Sequence, residues 1–431
     1  MVEPRTGGAF DVDIERIKKD ILELAEIGRS GEDRGIYRMA FTDADMDGKR
    51  WLLNRIDEAD LISDSDGAAN IFGRIVPEGE AGERPAVLAG SHIDTVPCAG
   101  ALDGSLGVVV ALECLRAVRE RGVRLQRPLE LVAFSDEEGR FGGMFGSQAF
   151  AGLISPATLD HPDLDGVRLT EAMQRQGLDP TKALEAARPR DSVEAYLELH
   201  IEQGPVLDSG NKQVGIVEDI TGLFKWQARL LGEANHAGTT PMHLRNDAFM
   251  GLADFAHELP RLIDENGSER SRATIGKAEI LPGAANTVPG KVEFSLDVRD
   301  PDPEVMRELG RAAQKTLAAI ARRRDLRFEH EELSFIQPVA CDARIVERID
   351  AEARELGLRY ARLPSGAAHD AQILGRMTRM GMLFAPSQGG KSHSPEEWTA
   401  WDDIHAAARL MLRALLDLCE ADAEPSARSE P

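Results

Sequence analysis

The sequence predicts an α/β protein, a larger domain on a mostly parallel central sheet covered by helices, interrupted by a smaller α+β domain. Three observations predict it. Short apolar runs such as AVLAGSHI and LELVAFS show no polar alternation, as expected of strands buried on both faces. They alternate with segments of helical period. Between residues 214 and 332 the order becomes strand–helix–strand–strand–helix–strand, the split pattern of a ferredoxin-like unit.

The elements follow in order. Residues 11–27 place Ile14, Ile17, Ile21, Leu22 and Leu24 at helical spacing. A second helix, MDGKRWLLNRIDEADL, follows Asp43–Asp45, which can cap it. Residues 70–76 and 86–93 read as strands, 107–121 as a long apolar helix, and 129–135 as a strand. Residues 155–192 are punctuated by Pro and Asp and hold one or two helices, and 196–201 (YLELHI) are a strand. In the insertion, strands at 226–231, 272–280, 291–299 and 327–335 alternate with helices at 246–265 and 303–323. The chain then returns to the first domain with helices at 343–357 and 403–420 and a strand at 382–385. The tail ADAEPSARSEP lacks a run of apolar residues and is expected to be disordered.

At 431 residues the chain is long enough for two or three cores. Its 51 Lys+Arg against 74 Asp+Glu leave a net charge of −23, which repels phosphate backbones and anionic lipid. Neither nucleic acid nor membrane is therefore an expected partner. No apolar run spans a bilayer, and the first twenty residues contain no apolar core of a secretory signal. Cys98, Cys114, Cys341 and Cys419 form no CxxC pair, so a reducing cytoplasm is the expected location.

Four segments end an apolar strand in metal-type ligands. AVLAGSHIDTV delivers His92 and Asp94, LELVAFSDEEG delivers Asp136, Glu137 and Glu138, YLELHIEQG delivers His200, and GMLFAPSQGGKSHSPEEW delivers His393. A Gly-rich turn, AGALDGSLG, exposes Asp103 ahead of a helix. Ligands of open α/β sheets gather outside the carboxyl ends of the strands, so His92, Asp103, Glu138, His200 and His393 can converge. Imidazole mixed with carboxylate suits Zn²⁺, and also Mn²⁺ or Co²⁺, better than Mg²⁺ or Ca²⁺.

Five ligands exceed one tetrahedral ion. The simplest arrangement is two ions bridged by Asp103, with His92 and His200 on one and Glu138 and His393 on the other. Asp94 is placed to accept the second ring N–H of His92. Adjacent Glu137 and Glu138 cannot comfortably bind one ion together, which leaves Glu137 free to take a proton from water and deliver it to a leaving amine. The glycines offer no GxxxxGK[ST] phosphate loop, and neither Ser147 nor Ser387 sits in a GxSxG elbow.

GSHIDTV, LDGSLGV, FSDEEG, ELHIEQGP, GEANHAGTTPM, NTVPG, DVRD, SGAAHDA and PSQGGKSHSPEEW together resemble the metal-dependent amidohydrolases related to aminoacylase and carboxypeptidase G. The resemblance is strongest to the branch of N-carbamoyl-L-amino-acid hydrolase, β-ureidopropionase and allantoate amidohydrolase. Two features carry that narrowing, the short spacing from His92 to Asp103 and a histidine, His200, in the third ligand segment.

The resemblance implies the five ligands and Glu137 as assigned. It implies a catalytic domain over 1–213 and 333–431, and a lid and dimerisation domain over 214–332. Arg299 would hold a substrate α-carboxylate through its guanidinium fork. His236 and Asn286 would bind substrate and stabilise the oxyanion, Gln203 would line the pocket, and a homodimer would bring some of these residues across from the partner.

The implied activity is hydrolysis of a linear amide or ureido C–N bond on a small carboxylate-bearing substrate, with an N-carbamoyl-L-amino acid first and, as the alternative, allantoate or the altered substrate of a related amidase. An aminoacylase or peptidase is a broader rival, and a non-catalytic binding protein on the same fold is the rival from another class. Two positions depart from the pattern. Leu223, in ITGLFKW, stands where the branch usually has Gln, and Ala368 stands where Gly is usual.

Overall fold

A computed structural model describes residues 11–420, so the expectation for the C-terminal tail lies outside the described residues. The chain divides into two compact units. One takes the described chain up to Glu218 with Cys341–Leu363 and the stretch from His369, and the other takes Asp219–Ala340 with Pro364–Ala368. The sequence places the boundaries at 213/214 and 332/333. The shift at the first boundary arises because Val214–Ile220, which lacks a helical period, pairs antiparallel with Arg379–Ala385 of the large sheet.

In the larger unit the sheet order is Ile62–Ser65, Ile71–Ile75, Leu129–Phe134, Ala86–His92, Val193–Ile201, Arg379–Ala385, Val214–Ile220. The four central strands run parallel, and those toward the edges are antiparallel. Ala86–His92 and Leu129–Phe134 are buried at every position, as their unbroken apolar character requires.

The helix Ser105–Glu120 packs on this sheet and buries nearly its whole length, which explains why its sequence is apolar on all sides. Trp401–Glu420 and Ala343–Glu355 also pack on the sheet. Because the central strands are parallel, all four carboxyl ends lie along one edge. His92 stands in register with Phe134, and His200 with Phe384.

Helix starts follow the expected cap chemistry with one change. Asp13 caps the first helix, accepting from the Glu15 and Arg16 N–H groups. The second helix is Asp43–Glu58, and its cap is Thr42, which accepts from the Asp45 N–H, while Asp43 and Asp45 lie inside the first turn. Residues 155–192 hold one short helix, Leu169–Arg175, among 3₁₀ turns. None of the four cysteines forms a disulfide, and among the described residues no helix is long and apolar enough to cross a membrane.

The smaller unit keeps the expected succession of strands and helices with one change, because the single strand expected over 272–280 is two short strands, Arg272–Thr274 and Ala278–Leu281. Its antiparallel sheet runs Ala278–Leu281, Lys291–Asp300, Gly222–Leu231, Arg327–Ile336, with Arg272–Thr274 also pairing Lys291–Asp300. Strict alternation of burial along Lys291–Asp300 shows one covered face. Phe224, Trp226, Leu230, Phe294 and Leu296 on that face pack with Phe255, Leu309 and Leu317 of the helices Ala248–Asn266 and Pro303–Arg323. A two-stranded ribbon, Asn235–His236 with Thr287–Val288, completes the unit.

Candidate metal centre

The shared edge of the parallel strands brings five ligand-type side chains of the larger unit together. His92 ends its strand, and its Nδ1 lies 3.0 Å from the main-chain carbonyl oxygen of Asp94. With the proton on Nδ1, Nε2 is left as the free lone pair. That Nε2 is buried without a hydrogen-bond partner, 3.7 Å from Asp103 Oδ1. His200 likewise turns Nδ1 to a main-chain carbonyl, 2.9 Å from the Ile201 oxygen, while its Nε2 is reached by the Gly104 N–H at 3.2 Å and lies 3.1 Å from Asp103 Oδ1.

On the other side of Asp103, the Nε2 of His393 lies 3.4 Å from Oδ2 and 3.5 Å from Glu138 Oε2. Two sets of ligand atoms result, His92–Asp103–His200 and Asp103–Glu138–His393, each within 4.8 Å internally and both using Asp103.

Local backbone explains how Asp103 reaches the centre. Gly104 has φ 63° and ψ −50°, and the Ser105 N–H donates to the Asp103 carbonyl at 2.6 Å. This is a γ-turn with positive φ, a strained conformation that glycine tolerates. A β-carbon on Gly104 would stand 2.4 Å from the His92 ring. The glycine of LDGSLG is therefore required twice, by its dihedral angles and by the imidazole beside it.

Asp94 acts through different atoms from those expected. Its carbonyl oxygen, rather than its carboxylate, meets the His92 ring, and the carboxylate stands 3.9 Å away. The carboxylate instead accepts the main-chain N–H groups of Glu137 at 3.4 Å and Glu138 at 3.2 Å. The residue thus ties the end of one strand to the acidic turn after its neighbour.

Burial lowers the His92 imidazole to about 4, so the ring is neutral at pH 7. Burial opposes charge on His200 too, but the Asp103 carboxylate outweighs it and holds the ring at about 9. The hydrogen bond to Asp103 and the charge of Glu138 raise His393 to about 9. Burial and Asp103 raise Glu138 to about 8, and burial with the charges of Glu138 and Asp370 raises Glu137 well above the carboxylate range.

So many acids packed beside unsatisfied lone pairs, among them His92 Nε2 and Glu138 Oε1, need a positive charge between them. The donor set fits a divalent cation.

Gln203, at φ 58°, donates from Nε2 to Asp103 Oδ2 at 2.7 Å, so it adjoins the centre. Residues without an expected role also gather here. The His369 ring packs on His200 with centroids 4.5 Å apart. Glu198, fully buried, accepts from Ser91 Oγ at 2.7 Å and from the Ala371 N–H at 2.9 Å. With His200 and His369 it forms a third group of metal-ligand type. The signal for Glu198 was present in YLELHI, where a charge two residues before a histidine shares its face of a buried strand.

The residues expected in the smaller unit are not gathered at one place. Thr287 pairs with His236, and the Ala237 N–H donates to the Asn286 carbonyl at 2.9 Å, so His236 and Asn286 are neighbours. Arg299 lies one residue before the end of the strand Lys291–Asp300, about 26 Å along that strand from Lys291 at about 3.3 Å per residue. Its Nε donates to Asp297 Oδ1 at 3.0 Å and its Nη1 to the Gly366 carbonyl at 2.6 Å. Leu223 and Arg272 stand directly opposite it on the two adjoining strands.

The chain is similar to known proteins along nearly its whole length. N-carbamoyl-L-amino acid amidohydrolase of Geobacillus stearothermophilus is 38% identical over 411 residues, covering 95% of this chain and 99% of that protein. Allantoate amidohydrolase of Bacillus subtilis is 35% identical, covering 92% and 94%. The crystal structure of an amidase of the hydantoinase/carbamoylase family from Burkholderia multivorans superposes with a TM-score of 0.89 at 32% identity, over 96% of this chain and all of that one. Residues 88–417 match the model of peptidase family M20/M25/M40, and the chain belongs to that family.

Proposed function

We propose that the protein hydrolyses a linear amide or ureido C–N bond on a small carboxylate-bearing substrate, and that the substrate is an N-carbamoyl-L-amino acid. The observation that carries this reading is Asp103 shared between two ligand sets, with Glu137 Oε2 3.6 Å from His92 Nε2. In this reading His92, Asp103 and His200 hold one divalent cation, and Asp103, Glu138 and His393 hold a second. Zn²⁺ suits the ligands, and Mn²⁺ or Co²⁺ can take the same places. Cations bound there polarise the scissile carbonyl and lower the pKa of water.

The chain's own groups do the rest. Glu137 takes a proton from the attacking water and gives it to the departing nitrogen. Gln203 orients Asp103 and faces the substrate. Arg299 grips the α-carboxylate with its guanidinium fork, while His236 and Asn286 stabilise the oxyanion. For a carbamoyl substrate the products are the amino acid and carbamate, which breaks down to CO₂ and ammonia.

His236 and Asn286 belong to a different element of the smaller unit from Arg299, and in this reading a homodimer formed through residues 214–332 lets each site draw on both subunits. A cytoplasmic enzyme acting without nucleic acid or membrane accords with the net charge of −23.

A second reading is allantoate hydrolysis, supported by the Bacillus subtilis relative. Leu223, directly opposite Arg299 where the branch usually has Gln, takes an amide away from the polar end of the site, so a related amidase with an altered substrate is the further outcome of the same test. The test is a panel of N-carbamoyl, N-acyl and ureido acids, with Zn²⁺, Mn²⁺ or Co²⁺ restored to chelated protein. N-carbamoyl-L-amino acids should be turned over fastest, and metal-loaded protein that cleaves none of the panel would overturn the proposal.

A further inference from the structure

Glu397 is a buried carboxylate that the chemistry above does not use. It lies at 5% exposure in the loop that carries His393. Its Oε1 accepts two main-chain N–H groups from a turn almost three hundred residues away, Leu102 at 2.8 Å and Asp103 at 3.0 Å. The turn makes room for it: a β-carbon on Gly100 would fall 2.4 Å from the Glu397 β-carbon and 2.5 Å from Oε1. Ser392 completes the link, its Oγ lying 2.8 Å from Asp103 Oδ2 and 3.5 Å from Glu397 Oε2.

We infer that Glu397 is a positioning residue, a splint that fixes the Asp103 turn against the His393 loop so that both ligands face one cation. The inference rests on the reading of Asp103 and His393 as ligands. Three observations lead to it. The turn has a positive φ at Gly104, and its Leu102 and Asp103 N–H groups find their acceptor outside the turn, in Glu397. His393 itself sits at φ 52°, a left-handed conformation that its surroundings must maintain.

The third observation concerns the rest of the loop. Its own closures, the Gln388 N–H to the Trp398 carbonyl and Thr399 Oγ1 to the Pro386 carbonyl, do not reach the Asp103 turn. Glu397 and Ser392 do. Glu397 touches neither cation nor substrate in this account and acts only through the two ligands.

The test measures Zn²⁺ affinity of the full-length protein by chelator competition, alongside the melting temperature of the chelated form and kcat at saturating metal. Glu397→Ala should weaken Zn²⁺ binding about 10–100-fold, the range found for partners that orient metal ligands. Glu397→Gln keeps an oxygen for both N–H groups and should stay within about threefold of wild type, a rescue that tracks the acceptor.

If Glu397→Ala does not fold, Glu397→Asp, one methylene too short to reach both N–H groups, takes its place with the same expectation. Wild-type affinity in the alanine or aspartate variant would overturn the inference, as would a glutamine variant as weak as alanine. Wild-type protein that binds no divalent cation would overturn this inference and the proposed function together, whereas wild-type binding with an unaffected variant would remove only the splint.

Discussion

Glu137 and His92 meet across the ends of neighbouring parallel strands, with Glu137 Oε2 3.6 Å from His92 Nε2. Glu137 belongs to neither ligand set that shares Asp103, so its oxygen borders the centre without being needed to hold a cation. Glu137→Gln preserves shape and removes the basic oxygen. It should lower kcat by about 10²–10⁴-fold while metal content, measured by elemental analysis, stays at the wild-type value. Normal turnover in that variant would take the proton-transfer role away from Glu137.

Gly104 permits a second, purely steric test. An alanine there would place its β-carbon 2.4 Å from the His92 imidazole, and the turn's positive φ would add about 1 kcal/mol of backbone strain. Gly104→Ala should displace His92 or Asp103 and weaken metal binding at least tenfold. The chelated form should lose only a few degrees in melting temperature, because the strand and helix flanking the turn remain. Unchanged metal affinity would mean that the turn does not press on the imidazole.

The sequence makes the candidate ligands His92, Glu138, His200 and His393 legible because each ends or follows an apolar strand, and parallel strands of one sheet bring those ends to one edge, whereas Asp103 is offered by the Gly-rich turn ahead of a helix. His92, His200 and the acids after Phe134 follow from that rule alone. What it cannot disclose is which atom of a residue is used. Asp94 stands two residues beyond His92, where either its carboxylate or its carbonyl can meet the ring, and only the three-dimensional turn decides for the carbonyl.

Glu397 was invisible for a related reason: its partners are main-chain N–H groups, which leave no mark on residue identity. In the fold, the strand Val214–Ile220 escaped notice because the acids Glu218 and Asp219 interrupt its apolar run. Thr42 is masked as a helix cap because the two acids beside it, Asp43 and Asp45, are residue types that also cap helices.

The titrating groups of the centre give the metal-free protein a characteristic pH response. His200 and His393 are held at about 9 and Glu138 at about 8, all above their unfolded values of about 6.5 and 4.3. Between pH 7 and 9 the folded state therefore binds more protons than the unfolded chain, so its stability falls as pH rises. The contribution of the two histidines is fully present below about pH 6.5 and disappears as pH passes 9. His92, lowered to about 4, is neutral in both states over this window and adds nothing to the slope. Chelated protein should accordingly melt lower at pH 9 than at pH 7. Metal-loaded protein, whose ligands are already deprotonated, should show a much flatter profile. Parallel profiles for the two forms would separate these histidines from the cation site.

His236 lies on the ribbon Asn235–His236 with Thr287–Val288 and Arg299 on the sheet strand Lys291–Asp300, and the shared-site proposal is testable by mixing defects in these two residues. Arg299→Ala alone should raise KM about 10–100-fold for substrates with a free carboxylate, the loss expected of a charge-assisted hydrogen-bond pair, and His236→Ala alone should lower kcat. In a dimer carrying one defect on each subunit, the two possible arrangements predict different outcomes. If each site takes Arg299 from one chain and His236 from the other, one of the two sites contains both wild-type residues and the other contains both defects. Co-expressed, differently tagged chains purified as the mixed dimer should then recover about half of wild-type activity. If both residues serve the site of their own chain, every site retains one defect and no recovery occurs. Mixed dimers no more active than the average of the two parents would assign both residues to a single subunit.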